Sequence, residues 1–179
     1  MADVGGGYAV LLQQGRLERE QAQHMIDAAG NNATLTLNSI GATTGVLVNT
    51  NPAPTLGGLT TPTTINDTAT ATPFSGVTIT DTDNVTVSVS LSDSTRGAFT
   101  SASLTASGFT SAGGGVYNLA SGTTAAAQAA IRQLVFDPAD NRVAAASTEA
   151  TTFTISVNDG VNTAVTNSTT TVTATSVND

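Results

Sequence analysis

Along the chain, the spacing of apolar and polar positions changes character near residue 50. Over residues 8–29, apolar or small residues recur at Tyr8, Leu11, Leu12, Gly15, Ala22, Met25, Ile26 and Ala29, the i, i+3, i+4, i+7 rhythm of a helix face. Arg16, Glu18, Arg19, Glu20 and Gln23 fill the other face with good helix formers. The spacing predicts a helix over 8–29, stopped by Gly30-Asn31. Residues 33–37, Ala-Thr-Leu-Thr-Leu, then alternate with period two, and Gly45-Val46-Leu47-Val48 follows a Gly/Thr turn. That reads as a hairpin of two short strands. A lone hairpin is marginal in water, so it must pack on the helix, on the following domain or on another chain.

From residue 51 onward the period is two almost throughout. Val85-Thr86-Val87-Ser88-Val89-Ser90-Leu91 and Phe153-Thr154-Ile155-Ser156-Val157 alternate cleanly, as half-buried antiparallel strands do. Shorter strand candidates are residues 77–79, 116–119, 134–136 and 171–174. Turn-forming clusters separate them: Asp81 to Asn84, Gly113 to Gly115, Asp137-Pro138 and Asn158-Asp159-Gly160. One short helix, Thr124 to Gln133, interrupts the series, its alanine run suited to lying against a sheet end. Roughly seven short strands over about 130 residues are the signature of a β-sandwich. The expected organisation is therefore a helix and hairpin over 1–50, as an appendage or assembly element, and a mainly β domain over 51–179.

Composition narrows the function. Of the 179 residues 10% are charged and 39% hydrophobic, which disfavours an amphipathic helical bundle. The five basic residues are all arginines scattered along a chain of net charge −8, so the basic stripe that tracks phosphates is missing and nucleic-acid binding is excluded. There is no Cys and one His, His24. That removes disulfides, thiolate metal sites and the usual nucleophile–base pairs, and the chain reads as non-catalytic. No apolar run reaches the length of a membrane span. The first residues lack the basic and apolar regions of a signal peptide, while the acidic, Thr- and Ser-rich composition suits the outside of a cell. The expectation is a secreted or surface protein, exported by a signal outside these residues.

Residues 49–179 resemble the cadherin-like, immunoglobulin-type repeat modules of giant bacterial adhesins and RTX-type secreted proteins. The resemblance is carried by Asn51-Pro52-Ala53-Pro54-Thr55 at the opening and by Val77 to Asn84. It continues through Leu134 to Asn141, Phe153 to Gly160 and the closing Ser176-Val177-Asn178-Asp179. It implies an antiparallel Greek-key β-sandwich and calcium at the junctions between modules. Calcium takes oxygen ligands from flexible acidic loops. By the resemblance, Asn49, Asn51, Asp81, Asp83 and Asp159 would form an amino-terminal site. Asp67, Asp137, Asp140, Asn178 and Asp179 would form the opposite half-site, completed by a following module. The same Asp and Asn residues also suit plain turns, because their side chains hydrogen-bond nearby backbone. Asp93 and Glu149 read as solvated surface charges.

Three functions follow as expectations. The first is a structural repeat module of an adhesin, active in cell adhesion or biofilm and stiffened by calcium between adjacent modules. The second is an extracellular filament or matrix subunit whose residues 1–50 dock on a neighbouring copy, with residues 8–29 as a homo-oligomer contact. A ligand- or carbohydrate-binding module comes third, since only Tyr8, Tyr117 and five Phe could serve as aromatic platforms.

Overall fold

A computed structural model describes residues 25–26, 32–40, 43–59 and 63–178. The chain divides into two units, Met1–Pro52 and Ala53–Asp179. In the first, β1 (Met25–Ile26), β2 (Asn32–Ile40) and β3 (Thr43–Thr50) form an antiparallel sheet in the order β1-β2-β3. The expected hairpin is present and longer than its clearest alternation. Its ladder runs unbroken from Ala33↔Thr50 to Ile40↔Thr43. The helix expected over 8–29 is corrected at its end, where Met25 and Ile26 are strand, paired with Ala33 and Asn32. Two apolar neighbours satisfy either period, and the available ladder partner decides between them. Residues 8–24 and 27–29 of that prediction, with His24, lie outside the described residues.

The second unit is mainly β. Its elements are β4 (Thr55–Gly57), β5 (Thr63–Asn66), β6 (Thr78–Thr80), β7 (Val85–Leu91), β8 (Gly97–Phe99), α1 (Ser101–Ser107), β9 (Thr110–Gly113) and β10 (Val116–Gly122). They continue as α2 (Thr124–Arg132), β11 (Phe136–Pro138), β12 (Thr148–Asn158), β13 (Val165–Asn167) and β14 (Thr171–Thr175). The main sheet has the order β5-β14-β12-β7-β10-β9, with β13 also on β12. Its pairs are antiparallel except β5–β14, which is parallel. Two small pairs, β4–β6 and β8–β11, complete the strands.

Alternation in the sequence becomes a two-faced sheet. Val85, Val87, Val89 and Leu91 of β7 are buried, and so are Phe153, Ile155 and Val157 of β12. The register sets Ile155 opposite Val89 and Val157 opposite Val87, so the apolar positions merge into one surface. Against them pack Phe74, Phe99, Ile131, Leu134 and Phe136 from the small strand pairs, α2 and their flanking segments. All five Phe are buried. The Phe153 ring meets Phe74 at 5.4 Å and Phe136 at 5.0 Å, both edge-on, the arrangement that opposed ring quadrupoles favour.

Each helix is fixed by its caps. The Thr123 hydroxyl accepts the Ala126 N–H at 3.2 Å and starts α2, which buries Ala127, Ala130 and Ile131. Arg132 Nε then donates to the Val77 carbonyl at 2.7 Å. Gln128 Oε1 accepts from the Ile79 N–H at 3.0 Å, so α2 is tied to the chain entering β6. Thr123→Ala removes the cap and is expected to lower the unfolding free energy by about 1 kcal/mol. Urea denaturation checks this as a lower midpoint at unchanged slope. Between β9 and β10, Gly113, Gly114 and Gly115 all have positive φ, 85°, 60° and 78°, the hairpin turn expected of that triplet.

Candidate functional site

Two clusters of acidic loops stand at opposite ends of the main sheet of the second unit. The first is placed by the ladders. Thr55 pairs with Thr80, and Asn158 pairs with Thr86 at the start of β7. The chain entering β4, the Asp81–Asn84 loop and the Asn158–Ala164 loop therefore share one end. Here Asp81 Oδ1 accepts the Asp83 N–H at 2.9 Å, while Asp81 Oδ2 is buried with no hydrogen-bond partner. Asp83 is exposed. Asp159 folds its own loop: Oδ1 accepts from the Val161 N–H at 3.0 Å and the Asn162 N–H at 2.8 Å, and Oδ2 from Asn162 Nδ2 at 2.7 Å. Burial alone would raise the Asp159 pKa. The bonds from the Asn162 side chain and from the Val161 and Asn162 amides outweigh it and hold the carboxyl below its ordinary value.

The second cluster lies where β5 and β14 end and β12 begins, since Thr175 pairs with both Asn66 and Thr148. Asp67 is 3% exposed. Its Oδ1 accepts the Val177 N–H at 3.1 Å and its Oδ2 the Asn141 N–H at 3.1 Å. Its own N–H donates to the Thr175 carbonyl at 2.9 Å. One carboxylate thus joins three chain segments: the turn after β5, the loop between β11 and β12, and the stretch following β14. Burial opposes ionisation of Asp67, but the amides of Val177 and Asn141 overcome it and its pKa is lowered.

Asp67 borders a small surface cleft, together with Arg96, Pro138, Arg142, Glu149 and Ser176. Four charges interlock there. Arg142 Nε donates to Glu149 Oε2 at 2.6 Å, Arg96 Nε stands 3.2 Å from Glu149 Oε1, and both arginines also face Asp93 Oδ2, at 3.3 and 3.7 Å. Arg96 further donates to the Ala150 carbonyl at 2.5 Å. Bonds from the Thr95 hydroxyl and amide, then the two arginines, hold Asp93 below its ordinary pKa. The Glu149 hydrogen bond raises that of Arg142. Asp93 and Glu149, expected as solvated surface charges, stand at the surface and are paired with arginines there. Each exposed pair alone contributes little, but the shared acceptors pin the Asp93–Arg96 turn, the β11–β12 loop and the start of β12 together.

The two sets expected from the sequence are therefore assembled in part. Asp81, Asp83 and Asp159 share one end of the sheet. Asp67 does meet the Asp140-Asn141 turn and the Val177-Asn178 segment, through backbone amides. Asp137 and Asp140 are exposed, Asp137 on the outward side of β11 between buried Phe136 and Pro138, and Asn178 is exposed. Asn49, opposite Thr34 in β3, and Asn51 belong to the first unit, and Asp179 lies outside the described residues. Among the described residues, no three His, Asp or Glu side chains group closely enough to hold a metal ion. No helix among them is long and apolar enough to cross a membrane. Sequence reading missed the Arg96–Arg142–Glu149 network, for which Asp93-x-x-Arg96 was the one local signal. The chain matches no family model, no curated protein and no solved structure.

Proposed function

We propose that the second unit is a non-catalytic structural module of a secreted or cell-surface adhesin, a Greek-key, cadherin-like spacer set in line with its neighbours. The observation that carries this reading is the position of its ends. Pro54-Thr55 lies at the end of the sheet marked by Asn158, and Val177 at the end marked by Thr148. The eleven residues of β12 separate the two by about 33 Å, at about 3.3 Å per residue. A unit whose ends lie at opposite poles transmits length and tension along a string. A unit with adjacent ends hangs from it as a branch.

The poles differ in fitness for calcium. At the amino-terminal pole, Asp81 Oδ2 is a buried oxygen without a hydrogen bond, a group whose desolvation a cation would offset. Asp81 would hold calcium there, with Asp83 and Asp159 on the same rim and further oxygens from a neighbouring module. At the carboxy-terminal pole the Asp67 oxygens already serve backbone amides, and that pole suits a structural tie better than a half-site. Calcium, when bound, supplies a bridge between carboxylates that otherwise repel.

The test is a melting curve of the full chain in millimolar calcium and in chelator. Calcium at about a hundredfold its dissociation constant adds about 2.7 kcal/mol. The melting temperature is expected to rise by about 10 °C, and Asp81→Asn to remove the rise. Identical curves with and without chelator would sink the calcium part of the reading.

A further inference from the structure

We propose that two copies of this chain pair edge to edge through β3, across a two-fold axis. β3 is the outer strand of its sheet, and among the described residues Thr43–Thr50 is laddered on the β2 side alone. An open edge is a row of N–H and C=O groups ready to template another strand. Proteins block such edges with Lys, Pro, inward charges or bulges. None of these interrupts Thr-Thr-Gly-Val-Leu-Val-Asn-Thr, and the β2–β3 ladder runs without a register shift.

Charge selects a second copy as the occupant. At a net charge of −8, two copies of the chain carry like charge and repel each other. Between Asp27 and Asp67, however, the sequence contains no charged residue, and β3 falls inside that stretch. It is where two copies meet with the least electrostatic opposition, and it offers nothing to attract a highly charged partner. Among the described residues the hairpin is also short of strands: three or more with an apolar face are needed for independent stability, and β1 adds only two residues to β2. Pairing two copies makes a continuous six-stranded sheet.

Periodicity selects the register. Directly opposed residues in an antiparallel pair share a face, so a strand can pair with itself about a residue but not about a peptide bond. Within one copy Leu35 opposes Val48 and Leu37 opposes Val46, which puts these four positions on one face. Centring the axis on Leu47 sets Val46 opposite Val48 of the second copy and joins the two apolar faces without a break. Centring it on Val46 would set Val48 opposite Thr44 and break the strip.

The chain has no cysteine, so single cysteines report the register directly. The full chain is expected to run at twice its monomer mass in light scattering, and Leu47→Lys to run at the monomer mass. The urea midpoint of the second unit should stay unchanged in that variant. Under mild oxidation, full-length Leu47→Cys should form a disulfide dimer. Thr44→Cys alone should not, but should cross-link when mixed with Thr50→Cys. The proposal is overturned by a wild-type monomer, by equal cross-linking of Leu47→Cys and Thr44→Cys, or by a dimer that survives Leu47→Lys and vanishes on deletion of residues 1–24. It rests on the first unit alone, so chelating calcium should leave the dimer intact, and the two proposals fail separately.

Discussion

Phe153→Ala is expected to lower the unfolding free energy of the second unit by about 4 kcal/mol, the usual cost of deleting a fully buried ring. Phe153 has no solvent exposure and touches three other rings, Phe74, Phe99 and Phe136. With Phe153, the four rings come from both layers. Phe153 belongs to the main sheet, Phe99 and Phe136 to the β8–β11 pair, and Phe74 to the segment before β6. Alanine would open a cavity where the layers meet, and three rings of limited freedom cannot fill it. With 4% aromatic residues and no Trp, nothing of similar size can move in. For a unit of this length the melting temperature should fall by about 15 °C. Phe153→Leu, which keeps most of the volume, should cost about 1.5 kcal/mol. Thermal and urea unfolding check both values. A loss for Phe153→Ala no larger than that for Phe153→Leu would show that the rings do not bind the layers.

How far the fold was legible follows from the range of each interaction. β7 and β12 were readable because each buries one full face against the same core, so the alternation of Val85 to Leu91 and Phe153 to Val157 survives in the sequence. α2 and the Gly113–Gly115 turn were readable from local chemistry, a capping Thr with an alanine run and three residues tolerant of positive φ. β4, β5, β8 and β13 were not, because strands of three or four residues exist through partners far along the chain. β5 is held by β14, more than a hundred residues away. α1 escaped because Ser-Ala-Ser-Leu-Thr-Ala-Ser has no apolar stripe; the Thr100 cap and the left-handed Gly108 at its end define it. The charged cleft was hidden for the same reason as β5. Arg96 and Glu149 are 53 positions apart, and only the pairing of β12 in the main sheet and the return of the β11–β12 loop bring them together. Asp67 was singled out as an acidic turn residue, but not for the two backbone amides that it accepts. An acidic residue in a turn is as good an acceptor for two amides as for a cation, and the sequence does not show that the turn is buried.

Asp67→Asn is therefore expected to be among the most damaging changes of a single polar group, lowering the melting temperature near neutral pH by about 10 °C. The two carboxylate oxygens accept from Val177 and Asn141. An amide offers one oxygen and one NH₂, so at least one buried N–H would face another donor. Either the stretch after β14 or the loop before β12 would lose its tie to Asp67, while Phe153 and the aromatic core stay in place. The pH dependence identifies the charge as the cause. Because the folded pKa of Asp67 lies below its ordinary value of 3.8, its contribution is fully present above that value and is lost as pH falls through the folded pKa. The gap between wild type and Asp67→Asn should then be wide and constant from neutral pH down to about pH 4, and should narrow below it. Asp93 and Asp159, which are shifted in the same direction, titrate in both proteins and cancel in the difference. Melting temperatures measured for both proteins from neutral to strongly acidic buffer provide the check. A gap that stays the same width to the lowest pH would mean that shape, and not the ionised carboxylate, holds the three segments together.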